Sequence, residues 1–433
     1  MARCEGRGLL GWTRIRLAAR IATTLGIAAL LPSTAPAQDR AGDPLRGVTA
    51  NPALAAALEH VDGAVERAVT TLIELASIVS PSGREHERAA AVARRMRQIG
   101  LAEVTLDSTP NVWGMIPGTS GRALVFVTML DDLSSIETFQ RSGSHQPRRE
   151  GRRLVGPATE LQSAVAAMLV AAEALVSAGV RPQHDLVFAG VAREETGLQG
   201  MQALYRGLKD RAVGFIEILG DGREIQYGAV GSIVWWRVVA RGREGHTTDR
   251  DLPNVNWAIA RAVDAIFALP HPERHRDRDT YINVGVLQSG EKINRKPATG
   301  WFSVDVRSRD RAIVEDIQRE IAAILRRVGS ETGISLEMVP DFEAAGAEIP
   351  GARDSLLTRA AVAVSRHLGF EPELTAVGCC NMRVAISGGT PAIGLHGERG
   401  GDRGTVAEWA DVPAMVNMAR HVVLLAAAAG GVR

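Results

Sequence analysis

The stretch Asp185-Leu186-Val187-Phe188-Ala189-Gly190-Val191-Ala192-Arg193-Glu194-Glu195-Thr196-Gly197-Leu198-Gln199-Gly200 decides the fold. Its first half, Asp185 to Val191, is an apolar run of strand length, as expected for a strand buried on both faces. Two adjacent carboxylates and a glycine follow at once. Adjacent carboxylates point in different directions, so one suits metal binding while the other acts as a base.

The same grammar repeats on either side. Leu124-Val125-Phe126-Val127 is a continuous apolar run, and Leu130-Asp131-Asp132 follows it. Gly214 to Leu219 is another, ending in Gly220-Asp221-Gly222. Between them, Leu154 to Pro157 enters a long Ala-rich helix ending near Gly179, and the turn Gly156-Pro157-Ala158-Thr159-Glu160 carries one more acid. Strands alternating with helices predict an α/β fold with a mostly parallel sheet covered by helices on both faces. Acids at the carboxyl ends of such strands stand where α/β sheets bind ligands. Taken singly, Asp131-Asp132 and Glu194-Glu195 also read as solvated surface acids. Their joint placement at strand ends of one sheet is what singles them out.

Further out, residues 53–99 have helical spacing, broken at Pro81-Ser82-Gly83. After Gly228 the texture changes. Ile233–Ala240 alternates and carries Trp235 and Trp236, a helix is expected over Asn254–Leu269, and strands over Tyr281–Leu287 and Gly300–Arg307. A helix over Ile313–Val328 and a strand over Ile334–Val339 complete a strand–helix–strand–strand–helix–strand succession, the ferredoxin-like α+β arrangement. The expected organisation is a signal peptide at 1–37, a first catalytic-like part at 38–228, an inserted lid at 229–340, and a second catalytic-like part at 341–433 that ends in the helix Pro413–Ala428.

The chain has 433 residues, with 45% apolar and 23% charged, which is ordinary for a globular protein large enough for two or three domains. The formal net charge of +1 leaves no electrostatic footprint for nucleic acid. Arg3, Arg7, Arg14, Arg16 and Arg20 precede the apolar run Ile21–Leu31, and Ala35-Pro36-Ala37 offers a cleavage site before Gln38. That is the grammar of a secretory signal peptide, against the alternative of an uncleaved anchor. The run is short for a membrane span. Cleavage removes five Arg and one Glu, taking the formal charge from +1 to −3. The expectation is an exported chain, periplasmic or secreted, with no stable membrane span after cleavage. Cys4 leaves with the signal segment, and Cys379-Cys380 are neighbours in sequence. A strained vicinal disulfide and two buried thiols are both compatible with that spacing.

From about Val65 to Leu425 the chain resembles the dinuclear-zinc exopeptidases and amidases that include peptidase T, aminoacylase and glutamate carboxypeptidase. The resemblance is carried by Asn111-Val112-Trp113-Gly114-Met115-Ile116-Pro117-Gly118, by Glu194-Glu195-Thr196-Gly197-Leu198-Gln199-Gly200, by Gly245-His246-Thr247, by Asn294 and Arg307, and by Thr405-Val406-Ala407-Glu408-Trp409. It implies a zinc-exopeptidase-like sheet domain with an inserted ferredoxin-like lid that also dimerises. It further implies Glu194 as general base with Asp131 beside it, Glu195 as a metal ligand, and His246, Asn294 and Arg307 as substrate-binding groups.

The metal ligands transfer poorly. The resemblance calls for two histidines and three carboxylates around zinc. Met129 stands at the first histidine position and Gly404 at the second. The bridging acid falls on Glu160 with a one-residue gap and on Leu161 without it. The fourth ligand falls on Gly220, Asp221 or Glu217. Zinc prefers nitrogen and sulfur donors, so Glu160, Glu195 and Asp221 alone suit calcium, magnesium or manganese better. A divalent metal is implied by the resemblance, but a full dinuclear zinc site is not expected. His396 reads either as a substitute ligand or as an ordinary loop histidine. Three functions follow: an exported peptidase- or amidase-like hydrolase of small peptides or N-acyl amino acids, with metal-altered or metal-independent chemistry; a non-catalytic binding protein for a peptide-like ligand; or a structural homodimer.

Overall fold

The computed structural model describes residues 42–143, 145–378 and 381–432. The expected signal segment, its cleavage point and the Cys379-Cys380 pair lie outside the described residues.

The main sheet has eight strands in the order Ala102–Leu106, Val112–Ile116, Asp185–Val191, Ala123–Met129, Ala212–Ile218, Ala392–His396, Glu224–Val230, Glu373–Val377. Its central four, from Asp185–Val191 to Ala392–His396, are mutually parallel. Both Asp185–Val191 and Ala123–Met129 are buried at every residue, as a strand covered on two faces must be. Alternate side chains feed two cores. Leu124, Phe126, Leu186 and Phe188 join the helices Pro52–Gly63, Val65–Ala76, His86–Ile99, Thr159–Ser177 and Val412–Gly430. Val125, Val127, Val187 and Ala189 face the helices Gln199–Leu208 and Met382–Ser387. The Phe126 and Phe188 rings stack at 5.6 Å across adjacent strands. Thr159–Ser177 and Val412–Gly430 are apolar and long enough to cross a membrane by length and composition alone. Here both lie mostly buried against the sheet, which accounts for that composition.

A second, antiparallel sheet is inserted in sequence between the main-sheet strands Glu224–Val230 and Glu373–Val377. Its strand order is Tyr281–Asn283, Thr299–Ser308, Ser232–Arg241, Ser335–Ala344, and Leu287–Ser289 also pairs with Thr299–Ser308. The expected strand Tyr281–Leu287 is thus two short pieces, interrupted near Gly285. Val234, Trp236, Val238 and Ala240 pack with Phe302, Val304 and Val306 against the helices Val255–Phe267 and Arg311–Thr332. The strand pleat sends Ile233, Trp235 and Arg307 to the opposite face, and those three line a cavity. The longer elements of this segment follow the expected strand–helix–strand–strand–helix–strand order, with the short strands Gly245–His246, Leu287–Ser289 and Arg295–Lys296 and the helix His271–Arg274 added between them.

Candidate functional site

Three strand ends of the main sheet deliver the acids. Asp131 follows Ala123–Met129 and is fully buried. Its Oδ2 accepts a 3.0 Å hydrogen bond from the backbone N–H of Glu195. Burial pushes the Asp131 carboxyl up to about 7, while the Glu195 N–H and the Ser82 hydroxyl pull it down. The next residue, Asp132, is structural. It ion-pairs with the fully buried Arg88 at 2.6 Å and accepts from Gln162 and Gln140.

The Glu194-Glu195 turn is held in an uncommon backbone. Arg193 and Leu198 have φ of +55° and +58°, in the left-handed region. Glu85 Oε1 ties the turn down by accepting from the N–H groups of Arg193 and Gly83, at 2.9 and 2.7 Å. A Cβ at Gly197 would stand 3.1 Å from the Phe342 ring, so the second sheet approaches the turn closely there.

Glu194 and Glu195 line a cavity of about 260 Å³. Its other walls include Met129 and, just past a strand end, Leu219 of the main sheet, Ile233, Trp235, Arg307 and Phe342 of the second sheet, His396 at the end of Ala392–His396, and Arg399 and Arg403 from the loop after it. Trp235 and Phe342 are cross-strand neighbours with ring centroids 4.8 Å apart.

The donor set does not fit a pair of zinc ions. Met129 is buried in an apolar cluster with Leu161 and Leu219. Gly404 has φ +78°, and a Cβ there would lie 2.8 Å from Leu133 Cδ1, so a histidine is disfavoured by backbone and space together. Each of the three carboxylates expected as ligands is instead committed to its own guanidinium. Glu160 pairs with Arg399, Glu195 with Arg403, and Asp221 with Arg223. His396 is no substitute ligand in this arrangement, since a Cβ at Gly394 would lie 3.0 Å from its Nε2, which places that nitrogen beside its own strand. Burial, with the Arg399 charge, pushes its imidazole down to about 4. Among the described residues, no three His, Cys, Asp or Glu side chains come together in a way that could hold a metal ion.

Glu408 is also interior. It accepts from the N–H groups of Glu160 and Gly404 at 3.0 and 3.1 Å, and burial pushes it up to about 7. Glu217 accepts from the Asn381 backbone and side chain at 3.2 and 2.8 Å, a packing role inside the sheet.

Within one chain the structure therefore brings together Glu194, Glu195 and Arg307. It keeps Asp131 beneath the turn, with Glu160 and Asp221 engaged in ion pairs. His246 is exposed, with Nδ1 2.8 Å from the Thr248 hydroxyl, and the Asn294 carbonyl accepts from Thr247 N–H at 3.1 Å. The two belong to one small two-stranded unit and do not line the cavity. Sequence reading missed Arg399, Arg403, Trp235 and Phe342 as wall residues. The available signal was the glycine-rich segment Gly397–Gly404, which sets two arginines four residues apart in front of the substituted histidine position.

Residues 136–428 match the model of peptidase family M20/M25/M40. By structure the chain is similar to the aminopeptidase PepT of Bacillus cereus, at 19% identity and TM-score 0.62, over 83% of this chain and 97% of that one. It is similar to the di-peptidase Dug1p of Saccharomyces cerevisiae, at 11% identity and TM-score 0.67, over 87% and 99%. It is also similar to the YXEP protein of Bacillus subtilis, a dinuclear metal binding peptidase, at 12% identity and TM-score 0.58, over 85% and 99%.

Proposed function

The chain belongs to peptidase family M20/M25/M40, a family of peptidase- and amidase-type hydrolases, and from that premise we propose that it acts on the amide bond of a small peptide or N-acyl amino acid without a dinuclear zinc site. One observation carries the reading. Glu194 and Glu195 line a cavity to which the second sheet contributes Arg307, Trp235 and Phe342.

Glu194 is the proposed general base. It takes a proton from water as the water oxygen attacks the amide carbon, and it returns that proton to the departing nitrogen as the carbon–nitrogen bond breaks. The products are a carboxylic acid and an amine. Asp131 positions the turn through the Glu195 N–H and does not touch the ligand. Guanidinium groups on the cavity wall supply positive charge beside the developing oxyanion.

A second reading is favoured by a specific observation. Met129 and Leu219, which are buried in one apolar cluster with Leu161, give the cavity an apolar lining that suits retention of a ligand better than activation of water. In that reading the protein binds the same class of ligand without turnover. Hydrolysis of N-acyl amino acids and dipeptides by purified protein separates the two. The hydrolase reading expects turnover that survives chelation and falls at least a hundredfold in Glu194→Gln. Ligand binding with no turnover selects the binding protein.

Three wider expectations belong to the same proposal. Residues 229–340 act as a lid over the cavity and as the contact of a homodimer, supported by the exposed Trp257, Phe267, Leu287 and Ile293 on that segment. In a dimer, His246 and Asn294 would serve the site of the other copy. A monomer by light scattering counts against this. The chain is exported after cleavage near Gln38, which N-terminal sequencing of the exported form tests.

A further inference from the structure

Two residues at the start of the helix His86–Ile99 run against the local rules for a helix N-terminus. Glu85 is the N-cap, yet its side chain accepts no N–H from its own helix. It is fully buried, and its Oε1 accepts instead from the N–H groups of Gly83 and Arg193, at 2.7 and 2.9 Å. Arg88 places a cation in the first turn, where the helix dipole disfavours it. It is fully buried too. Its guanidinium donates to the carbonyls of Leu75 and Leu130 at 3.0 and 2.8 Å and pairs with Asp132 at 2.6 Å. Arg88 thus holds the residues on either side of Asp131, while Glu85 holds the residue directly before Glu194.

The chain leading into this helix completes the contact. The Ser80 hydroxyl donates to the Leu130 carbonyl at 3.0 Å, and the Ser80 carbonyl accepts from the Asp132 N–H at 2.8 Å. Pro81 forms a parallel bridge with Asp132. The Ser82 hydroxyl lies 3.0 Å from that of Thr196, in the other loop. Arg193, the residue that Glu85 restrains, has φ +55°, a conformation that a non-glycine residue keeps only when its surroundings impose it. The stretch Pro81-Ser82-Gly83, which the sequence marks as a break between helices, is therefore part of a strap laid across the two loops that carry Asp131 and Glu194.

We propose that residues 80–88 are the positioning element of this site, and that Glu85 is the positioning residue that fixes the Glu194-Glu195 turn through the Arg193 N–H. This rests on the functional reading above only in taking Glu194 as the reacting group. What the turn requires is the reach of one acceptor oxygen. Oε1 makes both bonds, and Oε2 has no hydrogen-bond partner among the described residues.

Two substitutions in the full chain separate reach from charge. Glu85→Asp keeps the charge and is one methylene shorter, whereas Glu85→Gln keeps an acceptor oxygen at the original reach. Hydrogen–deuterium exchange read by mass spectrometry is expected to be at least tenfold faster over residues 192–198 in Glu85→Asp, with the second-sheet strand Thr299–Ser308 unchanged. Glu85→Gln is expected to bring the turn back to within threefold of the unsubstituted rate. With N-acetyl-L-alanine and alanylalanine as probes, kcat is expected to fall at least tenfold in Glu85→Asp with KM within twofold, and Glu85→Gln to recover most of that loss. Should Glu85→Asp fail to fold, Ser82→Ala, which removes the exposed tie to Thr196, is expected to speed exchange of the same turn at least threefold. A turn that exchanges alike in every variant, a rise spread evenly over both sheets, a Glu85→Gln turn as fast as that of Glu85→Asp, or a kcat untouched in Glu85→Asp would each overturn the proposal. An unsubstituted protein that hydrolyses neither probe counts against the hydrolase reading alone, because the exchange rates still decide whether Glu85 holds the turn.

Discussion

Asp131 Oδ2 accepts the Glu195 backbone N–H at 3.0 Å, so one strand end of the parallel sheet holds the turn that grows from its neighbour. The bond crosses from the loop after Ala123–Met129 to the loop after Asp185–Val191, strands paired in parallel register with Met129 opposite Val191. Burial, more than any neighbouring charge, keeps the Asp131 carboxyl at about 7.

That shift gives a pH dependence of stability. Asp131 rises from 3.8 to about 7 on folding and Glu408 from 4.5 to about 7, so their contributions are fully present below pH 4 and lost as pH rises towards 7. His396 and His421 work the other way. Burial lowers both from 6.5 to about 4, so the stability they contribute is present above 6.5 and lost as pH falls. Comparison with Asp131→Asn isolates one group, since the amide oxygen still accepts the Glu195 N–H. The variant is expected to gain stability relative to the unsubstituted chain between pH 5 and pH 8, by roughly 2–4 kcal/mol. Urea denaturation at the two pH values measures it, and an unchanged difference rejects Asp131 as a raised group.

Reinstating the imidazoles is expected to cost stability without restoring metal. Met129→His places a polar ring among Leu161 and Leu219, at about 1–3 kcal/mol for an unpaired buried polar group. Gly404→His adds a left-handed backbone penalty of about 1–2 kcal/mol and a close approach to Leu133. The double variant should melt well below the unsubstituted chain and carry less than one zinc per chain by elemental analysis. Stoichiometric zinc with an unshifted melting point would show that the site had stayed preorganised for metal.

The Arg399–Glu160 pair is mostly buried, with side chains 18% and 7% exposed. Arg399→Met strands the acid, at an expected loss of about 3–5 kcal/mol. Adding Glu160→Met removes the stranded charge and should recover most of that loss. Recovery below about 1 kcal/mol in urea titrations would mean that the two groups are not energetically coupled.

The sheet was legible because burial on both faces demands unbroken apolar runs, and Asp185–Val191 has the bounds read from its sequence. The antiparallel strand Glu224–Val230 was not read as one, because Glu224 and Gln226 interrupt its apolar pattern. The site divides along the same line. Local motifs located Glu194, Glu195 and Asp131, since each follows a strand directly. The arginine partners escaped because an ion pair between positions 160 and 399 has no periodic signature. The second sheet's alternation marked Trp235, but only the fold shows which of its faces meets the cavity.

The last prediction concerns how the two sheets are joined. The connecting segments around Gly231 and Gly346 touch, and a Cβ at Gly346 would fall 2.7 Å from the Gly231 nitrogen. Ala229 and Ala347 exchange backbone hydrogen bonds of 2.9 and 3.1 Å beside that crossing. Arg383 binds the same place, donating to the carbonyls of Ala229, Gly231, Ala345 and Gly378 while lining the cavity. It thereby links the joint to the site, since its guanidinium serves both connecting segments. Arg383→Met removes the donor shared by these four carbonyls; Ala229 keeps its bond from the Ala347 N–H and Ala345 is open to water, so the cost falls mainly on the buried Gly378 carbonyl, at about 1–3 kcal/mol for a group that water cannot reach. Gly346→Ala forces the segments apart while sparing Arg383. Both variants are expected to unfold at lower urea and to be cut faster by protease near residues 230 and 346, with the larger effect in Arg383→Met. Cleavage confined to other loops would show that Arg383 does not hold this joint closed, because a pin that has lost its donor must loosen the segments it held.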